Sequence, residues 1–342
     1  METELWEYLK TAQKPIVLYG MGNGADKIIN ILNQKGIEFK GVFASDGFVK
    51  RKLFHGHQIS SYSELKAKFG DMIVLLCFGS SLSDVIENIL KISSEQELYA
   101  PEVPVIGGGL FDYNFLLQNA DTLKWVYERL ADDISRKTFE NILKYKLSGK
   151  INYLLECQVD ENEPYTSFLK LKNERFLDLG AYNGDTVLSF INNCPDYESI
   201  IAMEPDRKTF KKLLNNTEGL RDFLPINACV SDKCDTVSFK MLGGRNSVLG
   251  DGKDEIQALT VDSLKFAPTY IKMDVEGEEV SAITGGTQTI LDHKPKMLIS
   301  AYHRTDDFIT IPKAVLDIRE DYKIYLRHFK YLPAWDTNFY FI

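Results

Sequence analysis

The chain alternates between short apolar runs and longer amphipathic stretches. Residues 2–13 carry a short amphipathic helical pattern, and Pro15-Ile-Val-Leu-Tyr-Gly20 is apolar throughout, as a buried strand would be. That run enters Gly20-Met-Gly-Asn-Gly-Ala25 and a helical stretch over 26–34. A second strand is predicted over 38–44, a loop over 47–61, and a short helix over 63–68. A buried strand over 71–79, a helix over 83–92 and a short strand over 103–106 complete the series. Strands alternating with helices predict a small α/β domain over residues 1–110.

From 110 to 150 the period changes. Leu116, Leu117, Leu123, Val126, Leu130, Phe139, Ile142, Leu143 and Leu147 recur at helical spacing. They predict two or more helices, broken near 131–134 and ended at Ser148-Gly149. Residues 111–164 are read as a helical linker or cap, closed by the polar loop Asp160–Pro164. Tyr165–Leu171 is expected to pack over the candidate site next along the chain.

A second α/β alternation occupies 165–342. Core strands are predicted over 175–180, 199–203, 224–230, 269–274 and 295–301, with extra strands over 237–242 and 256–260 around the glycine-rich loop Gly243–Gly252. Helices are predicted over 184–193, 207–216, 278–291 (running through Gly285-Gly286) and 311–318. An antiparallel pair, 322–327 with 338–342, closes the chain. The fold class is α/β: a doubly wound C-terminal sheet plus a smaller N-terminal Rossmann-like domain.

The 342 residues suit two domains, and 44% hydrophobic with 26% charged residues is ordinary for globular chains. A net charge of -9 argues against nucleic acid or an anionic membrane as the main partner. Five scattered cysteines without a CxxC pair suggest reduced thiols and a cytoplasmic protein. The acidic first residues do not read as a signal peptide, and no apolar run approaches the roughly 18 residues of a membrane helix.

Two glycine loops carry the candidate chemistry. Gly20, Gly22 and Ala25 fit GxGxxG/A, with Asp46 where a ribose contact would sit. That reading gives an NAD(P) or nucleotide-sugar site. The plainer reading, in which the glycines only permit a tight turn and close helix–strand packing, is preferred.

The second loop follows Arg175-Phe-Leu-Asp-Leu-Gly180. Asp178 closes the apolar run, Gly180 and Gly184 frame Ala181, Tyr182 and Asn183, and Asp185 and Thr186 open the next helix. Such a loop is expected to aim backbone N–H groups at a ligand. A pyrophosphate between Asp178 and Asp185 would meet two like charges, whereas S-adenosylmethionine (SAM) brings an ammonium and a sulfonium. Glu204, with Pro205 and Asp206, follows Gly184 by 20 residues, a spacing that suits a ribose contact. Helix capping is the competing role for Asp178 and Asp185. Asp274 and Glu276, after the fourth core strand, should face the same crevice, while Glu278 and Glu279 read as first-turn helix acids.

Phe176–Thr186, Glu204-Pro-Asp206, Thr260-Val-Asp262 and Ile271-Lys-Met-Asp-Val-Glu-Gly277 occur in that order. With Ser300-Ala-Tyr-His-Arg304, Tyr325-Leu-Arg-His328 and Thr337-Asn-Phe-Tyr340, they resemble the FkbM family of class I SAM-dependent methyltransferases. The resemblance covers roughly residues 165–342, and Glu278 departs from the small residue often found after DVEG in the family.

It implies a seven-stranded methyltransferase sheet with SAM across the carboxyl ends of its first strands. It also implies methyl transfer to a hydroxyl of a sugar, glycan or related acceptor. His303 is the first candidate base and Asp274 the second; Arg327 and His328 are weaker candidates for substrate contact.

No metal is expected, either at His55 and His57 or at Asp178, Asp274 and Glu276. The expected partner is a small-molecule or glycan acceptor, with no nucleic acid and no membrane; a homo-oligomer is left open. Two alternatives stay open: an NAD(P)- or nucleotide-sugar-dependent enzyme using the first glycine loop, and a non-enzymatic SAM- or nucleotide-sensing module.

Overall fold

The computed structural model describes residues 2–45, 52–240, 248–249 and 254–342. Asp46 and nearly all of the Gly243–Gly252 loop lie outside the described residues. The first sheet contains β1 (Ile16–Tyr19), β2 (Gly41–Ala44), β3 (Leu53–Phe54), β4 (His57–Ser61), β5 (Ile73–Leu76) and β6 (Glu97–Tyr99). Their order is β3-β4-β2-β1-β5-β6, and only the β3–β4 pair is antiparallel. All four residues of β1, β2 and β5 are buried, which explains their apolar runs: inner parallel strands are covered on both faces.

Two expectations fail here. The stretch read as a loop contains β3 and β4, because β2 pairs onward through Val42 and Ile59. Residues 103–106 form no strand; the sheet ends instead on Glu97–Tyr99. Pro101 and Pro104 lack the N–H groups that a ladder needs.

Helices Tyr113–Gln118, Ala120–Arg129 and Asp133–Ser148 follow. Asp112 caps the first by accepting Phe115 N–H, Asp132 caps the third by accepting Ser135 N–H, and Gly149 ends the third in the left-handed conformation. The break falls where Leu130 bridges Ile324 and Ala131 N–H donates to the Ile324 carbonyl. The helical segment therefore covers an edge strand of the second sheet, which would otherwise offer unpaired backbone groups.

That sheet contains β7 (Arg175–Leu179), β8 (Ser199–Met203) and β9 (Phe223–Ile226), then β14 (Tyr270–Met273), β15 (Lys296–Ser300), β16 (Ile324–His328) and β17 (Thr337–Phe341). The intervening β10 (Cys229–Val230), β11 (Asp235–Lys240), β12 (Val248–Leu249) and β13 (Asp254–Leu259) form a separate four-stranded sheet. The seven-stranded order is β16-β17-β15-β14-β7-β8-β9, parallel except for β17, which runs antiparallel to both neighbours. The order reverses between β7 and β14, so a crevice opens at the carboxyl ends of those two strands.

The run 224–230 divides between the two sheets. The expected helix 278–291 is two helices, Glu279–Thr284 and Thr287–His293. They part at Gly285, where an added Cβ would lie 2.2 Å from the Ser231 carbonyl oxygen. Phe168 stacks on Tyr325 at 3.9 Å between ring centroids and meets Tyr340 edge-on. Tyr165–Leu171 thus packs away from the crevice rather than over it. One apolar cluster runs from Val17 and Phe43 through Phe139 and Tyr145 to Ile271 and Leu326, so the two large sheets share a continuous core.

Candidate active site

A cavity of about 350 Å³ lies at the carboxyl ends of β7, β8 and β14. Of the residues singled out in the sequence, Gly180, Tyr182, Asp185, Thr186, Glu204, Pro205, Asp274, Glu276 and His303 line it. Asp178, Ala181, Asn183, Gly184 and Asp206 do not.

Asp178 is fully buried beneath the loop. The parallel register of β7 and β14 sets it directly beside Lys272, whose Nζ is 3.3 Å from Asp178 Oδ1 and donates to the Gly180 carbonyl at 2.7 Å. The Thr186 hydroxyl donates to Asp178 Oδ2. Burial pushes the Asp178 carboxyl up, and Lys272 only partly offsets that. Lys272, held by Asp178 and Asp274, stays above its ordinary value despite burial. A lysine inside the apolar strand Tyr-Ile-Lys-Met is the local sequence sign of this pair. Asp206 is also structural, accepting Lys208 and Thr209 N–H at the start of the helix Arg207–Asn216.

The loop does not cradle an anion. Gly180 and Ala181 N–H donate to the Met203 carbonyl, Gly184 N–H to the Ala181 carbonyl, and Tyr182 N–H to Glu204 Oε2 at 3.0 Å. Asp185 and Thr186 N–H are taken by Asn183 Oδ1 and Asp185 Oδ1. The expected fan of N–H groups toward a ligand is turned inward onto β8 and the loop itself. Gly180 is required on two counts: its φ is +79°, and an added Cβ would lie 1.9 Å from the Asp274 carbonyl oxygen.

Glu204 accepts Tyr182 N–H on one oxygen and Asp206 N–H, at 2.7 Å, on the other. Burial nevertheless pushes its carboxyl up to about 7. It stands at the end of β8 with its edge on the cavity.

Across the crevice, Glu276 and Gly277 have φ of +54° and +94°, and the turn they make folds Asp274 back toward the helix Glu279–Thr284. His303, 1% exposed, sits in that fold. Its Nε2 is 3.4 Å from Asp274 Oδ1 and 3.8 Å from Glu276 Oε2; its Nδ1 is 2.9 Å from Glu279 Oε1, out of line for a hydrogen bond. Burial works against a charge on the ring, but Glu279, Asp274 and Glu276 outweigh it and raise His303 to about 10. Tyr302 donates its hydroxyl to Asp274 Oδ1 at 3.0 Å. Asp274 keeps a third of its side chain exposed.

Several sequence assignments change. Glu279 does open the first turn of its helix, but it is buried, accepting Val275 N–H at 3.0 Å. Glu278 faces the cavity and pairs with Arg304 at 3.2 Å. Arg327 is fully buried between Glu163 and Asp132, and His328, beside Thr337, is pushed down by burial to about 3. Neither lines the cavity. His55 pairs with Asp26 at 2.7 Å, and His57 lies against the Phe39 ring.

Residues that the sequence did not mark complete the walls. Tyr331, Trp335 and Asp336 come from the turn between β16 and β17, while Ser81, Val105 and Ile106 come from the N-terminal half. Ile106 N–H donates to the His303 carbonyl at 3.0 Å, and Lys27 holds the same segment through the Pro104 and Val105 carbonyls. Pairing of Ser80 with Leu332 brings the two halves together here. Only Trp335 and Tyr331, aromatics flanking a proline on a short turn, carried a local signal.

Residues 178–332 match the family model of the methyltransferase FkbM domain. No curated protein matches the chain in sequence. The crystal structure of methyltransferase FkbM from Methylobacillus flagellatus KT is similar over 98% of this chain and 92% of that one, with a TM-score of 0.74 and 23% identity. The shared fold therefore includes the N-terminal sheet. Aeropyrum pernix fibrillarin, solved with natively bound S-adenosyl-L-methionine, is similar over 51% of this chain and 70% of that one, with a TM-score of 0.34 and 16% identity.

Proposed function

We propose that this chain, which carries a SAM-dependent methyltransferase domain of the FkbM family at residues 178–332, binds SAM at the β7–β8–β14 crevice and methylates a hydroxyl of a sugar, glycan or related acceptor. The observation that carries the reading is the loop's chemistry. Its N–H groups are spent on Met203, Glu204 and the loop itself, so a phosphate would meet few donors and several acids. A cationic ligand meets the opposite: Asp185, Glu204, Asp274 and Glu276 all border the cavity.

The residues fit SAM. Glu204 would take a hydroxyl pair of the ribose at the end of β8. Gly180 to Asp185 would border the methionine portion, with Asp185 facing its ammonium. When bound, SAM supplies an electrophilic methyl group on a positively charged sulfur. Asp178 does not touch the donor in this reading; with Lys272 it holds the Gly180 turn against β14.

The acceptor hydroxyl must be aligned and lose a proton. We assign proton acceptance to Asp274, because it is exposed to the cavity while His303 is enclosed by carboxylates. The order of the two candidates is therefore reversed, and His303 with Tyr302 orients Asp274. Tyr302, Tyr331 and Trp335 offer apolar ring faces beside carboxylates that accept hydroxyl hydrogens, a surface suited to a polyhydroxylated ring.

Calorimetry with SAM tests the donor site. Binding should occur in the full chain and fall by roughly tenfold or more in Glu204→Ala, with the fold retained. Binding of NAD(P) in place of SAM would overturn the reading. Incubation with labelled SAM and a panel of glycans tests the acceptor class. Label transfer only to amines or proteins would refute the hydroxyl assignment.

A further inference from the structure

Three carboxylates crowd His303. Asp274, Glu276 and Glu279 all place a carboxylate oxygen within 4 Å of its ring nitrogens. Nearby cations are committed elsewhere: Arg304 to the Gly277 carbonyl and Glu278, Lys146 to Glu102, and Lys272 to Asp178 and the Gly180 carbonyl. The hydrogen bonding is also incomplete. Glu279 Oε2, on a side chain that is 1% exposed, is buried without a hydrogen-bond partner, and His303 Nδ1 meets only the other oxygen of the same carboxylate, at 2.9 Å. Buried polar atoms rarely stay unpaired, and a carboxylate oxygen left over beside a buried imidazole points to a missing partner.

We propose that Asp274, Glu279 and His303 bind a divalent cation of borderline character, of the Mn2+ or Zn2+ class, at the floor of the cavity. One ligand atom from each residue lies within 4.8 Å of the others. Two ligands on opposite sides of one ion are separated by at most twice a bond of about 2.0–2.4 Å, so the three can share one ion. Two carboxylates with one imidazole favour Mn2+, Fe2+ or Zn2+ over Mg2+, which prefers oxygen alone.

The supporting contacts suit a ligand set. Val275 N–H holds the Glu279 carboxylate and Tyr302 holds that of Asp274, so both carboxylates are oriented by a neighbour, and the Ile106 N–H anchors the His303 backbone carbonyl. Asp274 and His303 line the cavity, which gives the ion a route in and leaves coordination positions facing it. This set differs from the Asp178, Asp274 and Glu276 trio considered from sequence, since Asp178 is turned away beside Lys272. A protonated His303 carries N–H at both ring nitrogens, toward Asp274 and Glu279; a bound ion takes the place of one of those protons.

The binding claim stands apart from the methyl-transfer reading. A catalytic role, in which the ion lowers the pKa of an acceptor hydroxyl placed against it, rests on that reading.

The test uses the full chain, stripped with chelator and then titrated with Mn2+ and with Zn2+. Free Mn2+ is followed by electron paramagnetic resonance and Zn2+ by calorimetry. We expect one ion per chain at a dissociation constant in the roughly millimolar range or tighter. His303→Ala and Asp274→Asn should each weaken binding roughly tenfold or more. Circular dichroism checks the fold of both; should His303→Ala unfold, Asp274→Asn, which alters a single oxygen at the cavity edge, still decides. Failure of both ions to bind the wild-type chain would overturn the proposal, as would binding that neither substitution weakens. SAM calorimetry on the same samples keeps this outcome distinct from failure of the donor site.

Discussion

The two large sheets each send a buried strand into a glycine loop and then a helix, yet the two loops are put to different use. After β1, an added Cβ at Gly20 would lie 2.5 Å from the Phe78 ring, and one at Gly24 would lie 2.3 Å from the Cys77 carbonyl oxygen. After β7, the close approach is from Gly180 to the Asp274 carbonyl, at 1.9 Å. Both sets of glycines thus serve backbone packing against the neighbouring strand. The two sites diverge at the carboxyl end of that neighbour. Beyond β5, Phe78 covers Gly20 and Gly79 packs against Trp335 and Tyr331. Beyond β14, the turn at Glu276 and Gly277 swings clear and leaves a cavity edged with acids. Glycine spacing records what the backbone needs; a ligand needs space and matching charge as well.

The comparison breaks most sharply at Gly180. Gly180→Ala should reduce SAM affinity by about a hundredfold or prevent folding, because backbone atoms cannot yield to a 1.9 Å contact. Gly22→Ala meets no atom within 4 Å but must adopt φ +100° and ψ -160°, so it should cost about 1–3 kcal/mol and leave SAM affinity unchanged. Calorimetry and urea denaturation of both variants decide; equal losses of SAM affinity would erase the distinction between the loops.

Next in size is Asp178→Ala, which strands Lys272 in the core. It should destabilise the chain by about 3–5 kcal/mol in urea, the cost typical of breaking a buried pair. Loss of SAM affinity without loss of stability would instead make Asp178 a direct ligand.

Glu204 supplies a pH dependence. Its folded value, about 7, lies above the ordinary 4.5, so the folded chain holds this proton more tightly than the unfolded chain does. Its contribution to stability must therefore fall as pH rises from about 4.5 to about 7 and stay level above that, by up to about 3 kcal/mol. Glu204→Gln should remove that part of the slope; a wild-type slope unchanged by the substitution would show that Glu204 titrates normally.

The smallest effect is expected at the closed loop. Phe78→Ala should cost about 1–3 kcal/mol, because the ring is only partly buried, and leave SAM affinity alone. Should it also create NAD binding, Phe78 would be a plug over a latent nucleotide site rather than part of a packed wall.

Much of the fold was legible along the chain. β1, β5, β7, β8, β14 and β15 are interior strands and therefore largely apolar runs, broken in β7 and β14 by the paired Asp178 and Lys272. Strands with weaker patterns were missed: β3 and β4 lie at the sheet's edge, and β6 buries only Leu98. The helix expected through Gly285-Gly286 failed because Ser231, far away in sequence, presses its carbonyl on Gly285. In the site, Gly180, Glu204 and Asp274 were readable because glycines and acids stand at the ends of strong strands. Lys272 and Glu279 were not, because burial of a charge depends on partners that the local pattern does not name.

The sequence alone determined where the strand–loop–helix units lie, that Gly180 and Gly184 frame the turn after β7, and that acids follow β7, β8 and β14. These follow from local rules: apolar periodicity, the φ limits of residues bearing Cβ, and strand length. Tertiary structure decided that one glycine loop opens and the other is closed by Phe78. It also decided that the loop amides turn onto Met203 and Glu204, that His303 is enclosed by three carboxylates, and that Ile106 of the N-terminal half walls the site. Each of those outcomes depends on which distant groups meet in space, and burial and Coulomb forces act on that distance rather than on separation along the chain.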